Sequence, residues 1–117
     1  MNKIRFASPP ATGPGIPSAP DADRVVEGAP RFTTWPSLEG PVDTGIWAAT
    51  PGVHRMIRDN SVLEQFYIIE GEIELSEDGC TTPHRFGAGD LVVIEPGFRG
   101  TWRTITPVRK FYVTARI

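Results

Sequence analysis

Glu64-Gln65-Phe66-Tyr67-Ile68-Ile69-Glu70-Gly71, followed by Gly87-Ala88-Gly89-Asp90 and Pro96-Gly97-Phe98-Arg99-Gly100-Thr101-Trp102, decides the fold class of this chain. Short apolar runs rich in Val, Ile, Phe and Tyr, each closed by Gly or Asp, are the mark of strands joined by tight turns. Glu72-Ile73-Glu74-Leu75-Ser76 alternates polar with apolar residues, so one face meets a core and the other meets water. Leu91-Val92-Val93-Ile94 is continuously apolar, which predicts a strand covered on both faces. The combination implies an all-β protein built from a closed or folded-over antiparallel sheet.

Outward from that stretch, the same grammar continues. Asp43 to Thr50 reads as a strand running to a Pro51-Gly52 turn, and Val53 to Arg58 as the next strand. The charge in this second strand implies that one face is wet or lines a cavity. Asp59-Asn60-Ser61 supplies turn-prone side chains. Gly71 is expected to close its strand and permit a tight hairpin into Glu72 to Glu77, and Asp78-Gly79 is a hairpin-turn dipeptide. Thr81 to Phe86 returns. Trp102, Thr104 and Thr106 alternate with Arg103 and Ile105, and Pro107 is expected to interrupt. A last strand, Arg109 to Ile117, places Phe111, Val113, Ala115 and Ile117 on one side.

Residues 1–30 differ in composition. Pro9, Pro10, Pro14, Pro17, Pro20 and Pro30 lie among Ala, Gly and Ser, a mixture with too little apolar surface to offset its ordering entropy. This segment is expected to be an extended N-terminal arm, offering Ile4, Phe6 and Ile16 for docking on a neighbouring subunit, and residues 31–117 a single domain. A chain of 117 residues suits that one-domain reading.

The formal net charge of −2 and pI near 5.6 argue against nucleic acid, which needs a basic face. No segment has the apolar length of a membrane span or the apolar core of a secretory signal, so no membrane partner and a cytoplasmic location are expected. Cys80 is the sole cysteine, lies in an expected turn and reads as a reduced thiol.

Two of these stretches resemble the motifs of the cupin superfamily. Glu64 followed by Tyr67 to Gly71 is similar to the end of the first motif, and Gly89-Asp90 with Glu95-Pro96-Gly97 to the second, its proline displaced by one place. Gly97 to Trp102, with Gly45-Ile46-Trp47 and Thr50-Pro51-Gly52, resembles the short single-domain branch similar to ureidoglycine aminohydrolases. The resemblance covers roughly Phe32 to Ile117. It implies an RmlC-like jelly-roll β-barrel, and a likeness in habit to relatives that form homodimers.

The resemblance also frames the chemistry. In metal-binding cupins two histidines and a glutamate of the first motif join a later histidine. On the family spacing these places fall on Arg58, Asn60, Glu64 and Gly100, and the branch's variant set of a glutamate, two histidines and a glutamine is not matched either. A guanidinium offers no lone pair and repels a divalent cation, so no metal is expected, and an Arg58 to Glu64 ion pair is expected in its place. The alternative cofactor is Mn, Ni, Fe or Zn held by an unusual set drawn from His54, Glu64, Cys80 and His84. Arg58 and Glu64 also admit a purely structural pairing, Asn60 a turn role and His84 a solvated one.

The leading functional expectation is a metal-independent cupin that binds a small molecule, a carboxylate or ureido-like metabolite. Its ligand-binding residues would be Arg58, Asn60, Glu64, His54, Trp47, Trp102 and Tyr112. The alternatives are a hydrolase or isomerase of small nitrogenous or sugar-derived compounds with Glu64 as its catalytic acid or base, and an assembly module whose barrel is filled by side chains.

Overall fold

A computed structural model of the protein describes residues 3–6, 8 and 13–117. Nine strands and one 3-10 turn at Ala22–Arg24 account for the regular structure among these residues. The strands are β1 Ile16–Ser18, β2 Val25–Gly28, β3 Phe32–Leu38, β4 Val42–Ala49 and β5 Gly52–Ile57, then β6 Val62–Glu77, β7 His84–Gly87, β8 Leu91–Ile94 and β9 Arg99–Arg116. No helix among the described residues is long and apolar enough to cross a membrane.

The organising pair is β6 with β9. They run antiparallel over their whole length, from Val62 opposite Arg116 to Glu77 opposite Gly100, with register shifts between Ile68 and Ile73. Strand β4 pairs with the second half of β9, opposite Val108 to Ala115, whereas β5 pairs with its first half, opposite Arg99 to Thr104. On the far edge of β6, β8 takes residues 64–67 and β7 takes residues 72–75. The result is two half-sheets joined by a common bent pair. One runs β1-β3-β4-β9-β6-β8 and the other β2-β5-β9-β6-β7, which is the all-β jelly-roll barrel that the sequence implied.

The bend has a local cause. Gly71 has φ +93°, a left-handed conformation that glycine adopts without a Cβ penalty, and a Cβ there would lie 2.3 Å from the Pro107 carbonyl oxygen. Proline lacks an N–H, so Pro107 is tolerated where the ladder is already broken. The expected breaks at Gly71 and Pro107 are therefore corrected: both strands run through these residues and kink there. The shift also swaps the buried parity of β6, from Phe66 and Ile68 before the bend to Ile73 and Leu75 after it.

Between the half-sheets lie Met56, Phe66, Ile68, Ile73, Leu75, Val92, Ile94, Trp102 and Val108. Each fully buried large apolar side chain contributes about 1.5–3 kcal/mol. Strand β8 corrects another expectation. Val92 and Ile94 are buried, but Leu91 and Val93 are 61% and 53% exposed. A four-residue apolar run here is one inward pair and one outward pair, and the outward pair continues a row through Tyr67 and Phe111 to Ile46 and Trp35.

The compositional boundary near Pro30 is crossed by pairing. Ile16–Ser18 lie against Thr34–Phe32, and Val25–Gly28 lie against β5, so this part of the expected arm pairs with its own chain. Ile4, Phe6 and Ile16 are exposed, and Pro9 and Pro10 lie outside the described residues.

Candidate functional site

Period-two geometry brings one parity of β6 and β9 into the barrel. From β6 this parity delivers Glu64 and Phe66, and from β9 it delivers Trp102, Thr104, Lys110, Tyr112 and Thr114. The inward parity of the last strand is thus the polar one. Phe111 and Val113 turn outward, and Val113 is 41% exposed.

Glu64 is the centre of the site. It is 2% exposed, and its two carboxylate oxygens go to two different cations. Oε2 accepts a hydrogen bond from Lys110 Nζ at 2.7 Å, and Oε1 accepts one from Arg58 Nη2. Arg58 follows the end of β5, its backbone N–H donating to the Phe98 carbonyl at 2.8 Å. Its side chain is about one-third exposed, which places it at the mouth of the barrel, while Lys110 is enclosed. The Lys110 ammonium lies 4.6 Å from the Trp47 ring centroid, 4.3 Å from Phe66 and 4.6 Å from Trp102, a cage whose ring faces attract a cation.

The electrostatics follow from burial and count. Burial alone would raise the Glu64 pKa, but the charges of Lys110 and Arg58 outweigh it and hold the carboxyl below its ordinary range. For Lys110, burial lowers the pKa and Arg58 adds to that, against the opposing pull of Glu64. Two cations therefore share one carboxylate.

A cavity of about 300 Å³ opens beside this triad. Arg58, Glu64, Lys110, Tyr112 and Thr114 form its polar wall, and Phe32, Trp47, His54 and Trp102 its aromatic wall. Trp47 meets Trp102 edge-on with centroids 5.4 Å apart, and the His54 ring lies 5.0 Å from Phe32. Burial, with help from Lys110 and Arg58, lowers the His54 pKa from 6.5 to about 4, so the imidazole is neutral near pH 7. His54 Nδ1 and Arg58 Nε are buried without a hydrogen-bond partner. Burial also raises the Tyr112 pKa, with Asp43, Glu39 and Glu64 adding to it.

Of the residues expected in the site, Arg58, Glu64, His54, Trp47, Trp102 and Tyr112 line this one cavity. Asn60 does not. It is exposed in the turn after β5, its side-chain oxygen facing Gly97. Lys110 is the residue that sequence reasoning missed. The available signal was composition, because the chain has ten arginines and only two lysines, Lys3 and Lys110.

The expected alternative metal set is corrected. His54, Trp102, Leu75 and His84 stand in one cross-strand row, three interstrand steps or roughly 14 Å from end to end. His84 lines a different cavity, and Cys80 is exposed in its turn. No group of three or more His, Cys, Asp or Glu among the described residues could hold a metal ion. The donor chemistry at Glu64 does not fit one either, since both of its oxygens are engaged by cations. Gly100, the place of the last family histidine, admits no side chain: a Cβ would lie 2.1 Å from the Ser76 carbonyl oxygen.

Comparison with known proteins agrees with this architecture. The family profile described as the EutQ-like cupin domain matches residues 36–112. No curated protein matches the chain. Among solved structures, a protein of unknown function from Pseudomonas syringae pv. tomato str. DC3000 is 26% identical with a TM-score of 0.75; the match covers 86% of this chain and 44% of that one. This chain thus spans less than half the length of that relative. The EutQ protein of Clostridium difficile is 20% identical with a TM-score of 0.64, covering 85% of this chain and 80% of that one. Ectoine synthase from P. lautus is 16% identical with a TM-score of 0.64, covering 84% and 68%. These last two likenesses are of fold.

Proposed function

The chain belongs to the EutQ-like cupin domain family, and we propose that it is a small-molecule-binding cupin whose barrel takes a small carboxylate or ureido-like metabolite without a metal ion. The observation that carries this reading is the sharing of one buried carboxylate, Glu64, by two cations, Arg58 and Lys110. An uncompensated charge is costly to keep from water, and a ligand carboxylate entering the cavity would balance it. The Arg58 guanidinium, on a side chain about one-third exposed at the cavity, supplies donors for that anion. A neutral His54 and the aromatic wall suit the apolar or planar remainder of the ligand. The open cavity speaks against a barrel filled by side chains.

Glu64 fits poorly as a general acid or base, because a carboxyl held below its ordinary range stays ionised and is a weak proton acceptor near neutrality. Its part in this reading is to hold Arg58 and Lys110 in place. The narrower likeness to ureidoglycine aminohydrolase-like cupins rests on the Gly45 to Gly52 and Gly97 to Trp102 wording and extends to the ligand class, not to the hydrolysis, whose metal ligands have no counterparts.

A thermal-shift screen of small carboxylates and ureides tests the proposal, since a ligand that binds only the folded form raises its stability. The expected hits are monoanions, and Arg58→Met should weaken them. If no acid or ureide shifts the wild type, or if hits shift Arg58→Met equally, the reading fails.

A further inference from the structure

The one lysine inside the folded barrel stands where another arginine would meet the need for charge. Arg58 already neutralises Glu64, and the chain uses arginine for every other basic side chain from Arg5 onward. Lys110 is instead an amine, 5% exposed, a lining residue of an open cavity with its Nζ bracketed by Glu64 and three aromatic rings. An amine can do one thing a guanidinium cannot: shed a proton and present a lone pair. Desolvation in an apolar pocket and a neighbouring cation are the two devices that activate a nucleophilic lysine, and both are present, since Arg58 shares the same carboxylate.

Resting on the anion-binding reading above, we propose that Lys110 captures small oxo acids covalently: its Nζ adds to the carbonyl carbon to form an imine while Arg58 receives the carboxylate. Arg58 and Lys110 bond opposite oxygens of Glu64, so their nitrogens are separated by no more than one carboxylate and two hydrogen bonds, a span that suits a short acid carrying its carbonyl beside the carboxylate. In the addition, Lys110 gives one ammonium proton to solvent and its nitrogen lone pair forms the new bond to carbon, while Glu64 stays ionised and holds Arg58 in place. The carbonyl oxygen takes up a proton to become a hydroxyl, and the C–O bond then breaks as water leaves with a second proton. The sum is one ammonium plus one carbonyl giving one protonated imine plus one water, with no oxidant or reductant. The product is still a cation, so Glu64 and the rings of Trp47, Phe66 and Trp102 hold it as they hold the ammonium.

The chain makes the test simple, because only Lys3, Lys110 and the terminal amine can react. The full-length protein is incubated with pyruvate or glyoxylate, reduced with borohydride and mapped by peptide mass. Reduced adduct should accumulate on Lys110 in clear preference to Lys3, because only Lys110 stands beside the carboxylate-binding Arg58 in the cavity. Excess lactate or glycolate, which carry the carboxylate without the carbonyl, should suppress it. Calorimetric binding of pyruvate or lactate is measured in parallel. Binding with no adduct on Lys110, or adduct spread evenly over Lys3 and Lys110, overturns covalent capture and leaves the anion site standing. Absence of binding by all four acids, with no adduct, overturns both. Lys110→Arg should lose the adduct; if a reduced adduct of the same yield persists in that variant, capture by Lys110 is wrong.

Discussion

Glu64 and Lys110 lie on neighbouring antiparallel strands but are not opposite one another: Glu64 faces Thr114 and Lys110 faces Ile68. The lysine reaches diagonally past Phe66 and Tyr112 to donate to Glu64 at 2.7 Å, so its stem packs as well as its charge. Removing one member of a buried pair typically costs 3–5 kcal/mol because the other is left uncompensated, roughly. Glu64→Gln should cost about that much in urea unfolding, since it strands two cations. In a Lys110→Met background the same change should cost less, with a coupling of about 1–3 kcal/mol. Additive single and double variants would mean the pair is not coupled.

The buried imidazole predicts acid sensitivity in a defined window. The His54 pKa is lowered from 6.5 to about 4 in the folded protein, so between those values the unfolded chain binds a proton that the folded one refuses. Stability from this group is fully present above pH 6.5 and is lost as the pH falls toward 4. The loss has an upper limit of about 3 kcal/mol. Glu64 does not confuse the window, because its lowered pKa puts its own loss at more acid pH. Urea midpoints measured from pH 7 to pH 4.5 should fall for the wild type and stay flatter for His54→Gln. Equal slopes would remove His54 as the cause.

How far the sequence reached is clearest at the ends of this network. Arg58 and Glu64 could be paired through the cupin motif that the chain resembles, whose ligand spacing puts both at the metal's place, and they do meet in the fold. Lys110 could not. The hydrophobic residues of the last strand, Phe111 and Val113, invited the core-facing role, yet this half-sheet buries its polar parity around a cavity and turns its apolar parity outward. Leu91 and Val93 misled in the same way. Periodicity reports that two faces differ, and only tertiary packing decides which face is the inside. The bend at Gly71 and Pro107 was legible as two breakers, but their meeting across the ladder requires the register of β6 on β9.

That meeting predicts an unequal response to alanine. At Gly71 a Cβ would combine a φ of +93° with a contact of 2.3 Å to the Pro107 carbonyl oxygen. Gly79 has a similar φ of +83° but nothing within 4 Å of its Cβ position. Gly71→Ala should therefore destabilise by at least about 2 kcal/mol, and Gly79→Ala by about 1 kcal/mol. Comparable losses in thermal unfolding would show that the Gly71 contact relaxes and that the bend does not depend on it.

The final prediction concerns metals. Arg58 and Lys110 occupy both oxygens of Glu64, and a divalent ion arriving there would have to displace one of two cations while being repelled by the other. Gly100 can contribute no ligand without moving Ser76. Dialysis against a chelator should leave the melting temperature unchanged, and added Mn, Ni, Fe or Zn should raise neither it nor the bound metal to one equivalent per chain. A stoichiometric ion that shifts the melting temperature, and whose effect is lost in Glu64→Gln, would mean that Arg58 and Lys110 can swing away from Glu64, and the anion site would then have to be rebuilt around that ion.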